Sequence, residues 1–123
     1  MKAIKIAHGI YWVGAIDWNI QDFHHISTHK GTSYNSYLIL DDKKILIETV
    51  KGSFSNDMLS RISDVMDPAD LDYIIANHME PDHSGSLAAL MNIAKKATII
   101  VSEKFGEESI ARTFHQNWNI MPV

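Results

Sequence analysis

The 123-residue chain has no cysteine. Disulfides, thiolate metal sites and cysteine nucleophiles are therefore excluded, and the composition is compatible with a reducing compartment. A basic stripe is also missing. Eleven Lys and Arg stand against fifteen Asp and Glu, a formal net charge of −4. The two signs are mixed along the chain, so nothing points to nucleic acid or to a membrane surface as partner. No apolar run approaches membrane-spanning length. The N-terminus, Met1 to Ile6, is interrupted by Lys2 and Lys5 and lacks the apolar core of a signal peptide. Internal repeats and low-complexity linkers are absent. What is left is one small soluble domain, expected in the cytoplasm, with enough apolar residues to bury a core.

The chemistry that is present is concentrated in Asn77-His78-Met79-Glu80-Pro81-Asp82-His83-Ser84-Gly85. Four side chains that bind metals, His78, Glu80, Asp82 and His83, fall within six residues. The apolar run Tyr73 to Ala76 precedes them, and a Ser-Gly-Ser turn with an amphipathic run follows. This is the layout of a strand that ends, offers its side chains to a site and hands over to a helix. In extended backbone, residues two apart point the same way. The spacing predicts that His78, Glu80 and Asp82 converge on one side, with His83 turned differently. Such a geometry suits two adjacent metals better than one. Pro81 fixes its own φ and biases Glu80 toward extended backbone. Asp-His-Ser-Gly alone also fits an ordinary turn and helix cap, but four donors at one strand end favour a metal.

Along the chain, Ala3 to Ala7 alternates as a half-buried strand does. After a turn at Gly9, Ile10 to Ala15 reads as a second strand of a hairpin. Asp17 to Gly31 has no clear period and reads as a long functional loop. Tyr34 to Leu40 and Lys44 to Val50, joined by Asp41-Asp42-Lys43, form the clearest hairpin. Ser53 or Ser55 is a candidate cap for a helix whose buried face carries Phe54, Met58, Leu59, Ile62, Val65 and Met66. Asp67-Pro68 ends it, and a short turn opens at Pro68. Asp72 to Ala76 is a strand, and Leu87, Leu90, Met91 and Ala94 mark a second helix. Ala97 to Val101 reads as a strand covered on both faces. Ser102 caps a third helix with Phe105, Ile110 and Phe114 facing inward. The last apolar residues, up to Val123, look like another strand with nothing to pair with. Hairpins followed by alternating strands and helices predict an α/β (α+β) layered domain.

Two imidazoles and two carboxylates form a mixed donor set that suits iron or manganese, whereas zinc favours sites rich in His and Cys. Such a set supports reduction of a small diatomic molecule or activation of water for hydrolysis. Spacing alone leaves both open. His24 and His25, among aromatic neighbours, are the other histidines able to approach the site. His29 reads as a surface residue, His115 as a cation favoured near a helix end rather than a ligand, and His8 as structural.

His78-Met79-Glu80-Pro81-Asp82-His83 resembles the His-x-Glu-x-Asp-His motif of the flavodiiron proteins, members of the metallo-β-lactamase superfamily. Hydrolases of that superfamily carry a histidine in the place of Glu80. Trp12 to Trp18, Asp22-Phe23-His24 and His29 to Leu38 are also similar to family sequence. The resemblance implies the N-terminal half of an αββα metallo-β-lactamase-like fold. It implies that His78 and Glu80 bind one iron and Asp82 the other, with His83 a ligand in some family members, and that His24 lines the substrate pocket. It implies reduction of O2 to water or of NO to N2O, with electrons from rubredoxin or another reductant passing through FMN, in a head-to-tail homodimer. The family's further His, bridging Asp and last His belong to the second half of the domain, and FMN to a flavodoxin-like domain; neither is found in these residues. The resemblance thus makes residues 1–123 a partial di-iron domain, with no turnover expected from it alone. A zinc hydrolase and a non-catalytic interaction module are the two other readings.

Overall fold

A computed structural model of the chain describes residues 1–19, 22–23, 26–27, 31–102, 108, 110 and 117–123. Among the described residues one sheet has seven strands. Its first four in spatial order are β1 (Ile4–Ala7), β2 (Ile10–Trp12), β7 (Tyr37–Leu40) and β8 (Lys44–Ile47), each antiparallel to the one before it. The order continues with β9 (Tyr73–Ala76), β10 (Thr98–Val101) and β11 (Ile120–Pro122), each added in parallel. Two smaller ladders pair β3 (Ala15–Asp17) with β6 (Thr32–Tyr34) and β4 (Asp22–Phe23) with β5 (Ile26–Ser27).

The register explains the core. Leu38, Leu46, Ile74 and Ile99 are paired in one rung across four strands, and all four are fully buried. Each belongs to a short Ile/Leu-rich run, in which alternation sends every second side chain to the same face. Helices α1 (Ser55–Ser63) and α3 (Leu87–Met91) supply Met58, Ile62, Leu87, Leu90 and Met91 to the same buried cluster. The opposite face carries Ile39, Ile45, Ile47, Tyr73, Ile75 and Ile100, all half-buried. The sheet is therefore dry on its helix side and only partly covered on the other.

Several expectations hold. The turn at Asp41-Asp42-Lys43 joins β7 and β8, and Asp67 caps the short turn Pro68–Asp70 by accepting from the Ala69 N–H at 3.0 Å. Others need correction. The run Ile10 to Ala15 is not one strand: the backbone leaves the main sheet after Trp12, and Ala15 starts β3 beside Tyr34. Gly14 lets the chain pass there, since a Cβ would stand 2.0 Å from the Tyr34 carbonyl oxygen. β1 is exposed along its length rather than half-buried, because it is the edge strand. Part of the segment read as an irregular loop is strand, in β4 and β5. Helix α1 takes no side-chain cap; Ser55 Oγ donates instead to the Gly52 carbonyl and to Ser86 Oγ. β10 is not covered on both faces, as Thr98 and Ile100 are only half-buried. The terminal strand does have a partner, with Ile120 in register with Ile99 on β10. Of the third helix's inward residues, Ile110 is helical and fully buried, and Phe105 and Phe114 lie outside the described residues.

The two faces make different predictions. Leu46→Ala, in the dry rung, should cost about 2–5 kcal/mol. Ile45→Ala, next to it on the half-covered face, should cost clearly less. Urea unfolding of the two variants checks this, and equal losses would show that both faces are equally dry.

Candidate metal centre

The site lies where β8 and β9 end side by side. Their parallel register (Ile45 to Tyr73, Ile47 to Ile75) brings both C-terminal ends to the same edge. That edge is where open α/β sheets bind ligands. β9 delivers His78 two residues beyond its end. Glu80 has φ −67° and ψ 150°, the extended backbone that a following proline imposes. Pro81 then opens helix α2 (Pro81–Ser84), where its missing N–H costs nothing.

The helix overturns part of the alternation argument. His78 and Glu80 do share a side, with His78 Nε2 3.4 Å from Glu80 Oε1. Asp82 does not join them by strand periodicity, because it sits in the first turn of α2. It pairs with His83 instead, at 3.0 Å between Asp82 Oδ2 and His83 Nε2. The two pairs meet through their rings: the His78 and His83 centroids are 4.8 Å apart, edge to face. His78 and Glu80 are about half exposed, whereas Asp82 is buried. Among the described residues, no group of three or more His, Asp or Glu is gathered tightly enough to hold one metal ion. The donors, two imidazole nitrogens and two carboxylates arranged as pairs, are of the kind iron accepts.

The loop is held from the segment after β8. Thr49 donates to the His83 carbonyl through both N–H (3.0 Å) and Oγ1 (2.7 Å). Ser86 N–H donates to the Val50 carbonyl at 3.0 Å. Ser84 Oγ donates back to the Met79 and Glu80 carbonyls. Gly85 packs so closely against this segment that a Cβ would stand 2.5 Å from Gly52 N.

Two groups here were not singled out from the sequence. Glu48 follows β8 directly and is the one non-glycine residue with positive φ (65°) among the described residues. Such strain costs on the order of 1–3 kcal/mol and persists where the surroundings impose it. Its Oε1 accepts from the Asn77 N–H and, at 3.2 Å, from the His78 N–H. Its Oε2 is 3.3 Å from His83 Nδ1. That approach is not aligned as a hydrogen bond, and both atoms are buried without another hydrogen-bond partner. Burial holds the Glu48 carboxyl above its usual range, against the pull of the two amides and of His83 and His78. A carboxylate at the end of an apolar strand was the available signal, but it has meaning only once β8 is known to lie beside β9.

The second group is Tyr34, fully buried, whose hydroxyl donates to Asp17 Oδ2 at 3.3 Å. His24, expected beside the substrate pocket, lies outside the described residues, as do His25, His29 and His115. His8 is exposed in the turn between β1 and β2.

A sheet with helices on one face, and a loop of two histidines and two carboxylates at the C-terminal end of β9, are the features of a metallo-β-lactamase-like domain. The chain belongs to the ODP family of β-lactamase-like domains, whose model matches residues 32–118. Its relatives are flavodiiron proteins. It is 41% identical to a nitric oxide reductase of Moorella thermoacetica, over 96% of this chain and 30% of that protein. It is 39% identical to the rubredoxin-oxygen oxidoreductase of Megalodesulfovibrio gigas, over 100% of this chain and 31% of that protein. Among solved structures, the flavodiiron protein of Giardia intestinalis superposes with a TM-score of 0.92 at 31% identity, covering 100% of this chain and 30% of that one. The chain thus spans about a third of the length of these relatives.

Burial, reinforced by the Asp17 carboxylate, pushes the Tyr34 phenol up to about 12. In the unfolded chain it ionises near 10. The folded state therefore keeps Tyr34's contribution below pH 10 and loses it as the pH rises from 10 toward 12. An absorbance titration should show one of the four tyrosines ionising last, and Tyr34→Phe should remove that step. An unchanged titration would remove Tyr34 from this role.

Proposed function

We propose that this chain is the front part of the di-iron domain of a flavodiiron oxidoreductase that reduces O2 to water or NO to N2O. The observation that carries the reading is the His-x-Glu-x-Asp-His loop, with its four donors at the end of β9, in a chain similar over its whole length to flavodiiron proteins. In this reading His78 and Glu80 hold one iron, Asp82 holds the other, and His83 stands beside Asp82 as a further donor. The remaining ligands and an FMN-binding flavodoxin-like domain belong to a longer polypeptide, of which residues 1–123 are one piece. Iron bound there supplies the redox chemistry for the diatomic gas, with electrons from rubredoxin or a similar donor arriving through FMN. Two such polypeptides pack head to tail, and the enzyme works in the cytoplasm. Among the described residues no helix is long and apolar enough to cross a membrane.

The chain's own residues divide the work. His78 and Glu80 stand half exposed at the mouth, open to an incoming ligand. Asp82 is buried, where a carboxylate needs a cation or hydrogen-bond donors to offset its lost hydration. Thr49 and Ser84 hold the backbone between them, so the donors are set by the fold.

The hydrolase alternative shares the fold and differs at Glu80, which replaces a nitrogen donor by a carboxylate and shifts preference from zinc toward iron. The full reading frame containing this chain decides between them. Its product should bind iron and consume O2 or NO with reduced flavin, and Glu80→Ala should lower iron content and abolish consumption. His24→Ala should leave iron in place and alter gas reactivity. A product that binds zinc, hydrolyses an ester or thioester and ignores both gases would overturn the reading.

A further inference from the structure

We propose that a hollow at the edge of the sheet opposite the donor loop binds a purine mononucleotide, with the base stacked on Trp118 and the phosphate held by Lys95. The inference does not rest on the iron reading. It rests on where the hollow lies and on what lines it.

The hollow has a volume of about 270 Å3 and is lined by Met91, Asn92, Lys95, Asn117, Trp118 and Asn119. Two stretches of chain build it. Helix α3 ends at Met91, and the turn that follows carries Asn92 and Lys95 before β10 starts at Thr98. Residues 117–119 lead into β11, and the Asn119 carbonyl accepts from the Ile99 N–H at 2.8 Å. That bond ties the second stretch to the strand that the first one enters. Both stretches lie at the N-terminal ends of β10 and β11. The donor loop leaves the C-terminal end of β9, which runs parallel to β10. A four-residue strand, roughly 13 Å, separates the two edges.

The lining is divided. Met91 is buried and Trp118 is half-buried against the core, so the base of the hollow is apolar and aromatic. Asn92, Lys95, Asn117 and Asn119 are exposed around them. Among the described residues none of these four side chains has a hydrogen-bond or ion-pair partner. Neighbouring Lys96, by contrast, is 3.7 Å from Asp72. No carboxylate of the described residues lines the hollow. An apolar base with a few convergent polar groups is the make-up of a small-molecule site.

The chemistry of the lining selects the ligand. An indole offers a flat face on which a heteroaromatic ring stacks. Each carboxamide carries two N–H donors and a carbonyl acceptor, the combination that reads the mixed donor and acceptor edge of a purine. A lysine with no carboxylate beside it leaves the hollow positive and takes a phosphate as a point charge. A cation would be repelled, and a neutral sugar would leave the ammonium unused.

Calorimetric titration of the polypeptide encoded by the full reading frame tests this, with AMP, adenosine and inorganic phosphate as probes. AMP should bind with a Kd below about 1 mM, adenosine more weakly and phosphate most weakly. Lys95→Gln should weaken AMP about fivefold or more and leave adenosine unchanged. Trp118→Leu should weaken both about tenfold. Because Trp118 packs on the core, a thermal melt accompanies that variant. If it is unfolded, Lys95→Gln and Asn117→Ala decide alone, the latter weakening AMP and adenosine together. An absence of AMP binding, or an AMP affinity untouched by Lys95→Gln, would overturn the proposal. Phosphate binding as tightly as AMP would reveal a plain anion site and overturn the nucleotide assignment.

Discussion

The parallel pairing of β8 with β9 is the contact on which the site depends. It brings Glu48 and Asn77 to the same edge, although they are 29 residues apart in sequence. It also lets the segment after β8 run beside α2, so that Thr49 gives hydrogen bonds to the His83 carbonyl and the Val50 carbonyl receives them from Ser86. The loop itself has little regular structure, with one four-residue helix. Its shape is imposed by a neighbour that is already fixed in the sheet. The dry rung Leu38–Leu46–Ile74–Ile99 does that fixing, because a slip of one residue would turn this rung to the half-covered face.

The site is also graded in exposure. His78 and Glu80 are half exposed, whereas Asp82 and the Tyr34–Asp17 pair are buried and the Glu48 side chain is nearly so. Polar groups below the surface must find partners, and here they find one another: Tyr34 with Asp17, Glu48 with two amides and Asp82 with His83. The peptide N–H groups at the end of β9 offset part of the Glu48 charge.

The sequence made much of this readable. Short apolar, β-rich runs bounded by polar residues located β7, β8, β9 and β10. The donor loop stood out by density, and the His78–Glu80 relation followed from a spacing of two in extended backbone. The same rule failed at Asp82, since a proline that stiffens a loop also starts a helix. Ile10 to Ala15 looked continuous because a change of sheet leaves no mark on hydrophobic pattern; only Gly14 hinted at it. The terminal strand looked unpaired because a parallel partner is not adjacent in sequence. The contacts of Glu48 were unreadable for the same reason, as they depend on a strand pairing across a helix.

The seam between the antiparallel and parallel parts of the sheet has a consequence for how the molecule forms. β1, β2, β7 and β8 are joined through antiparallel pairings, and the β7–β8 hairpin closes over a few residues. β9, β10 and β11 each require a crossover through intervening segments before any rung can close, and such non-local pairings form slowly. Glu48 ends the last strand of the first part, and His78 follows the first strand of the second. The donor loop therefore meets Glu48 only when the two parts dock. The contacts that fix the positive φ of Glu48, with the Ile75 carbonyl and the Asn77 and His78 N–H groups, close in that same docking.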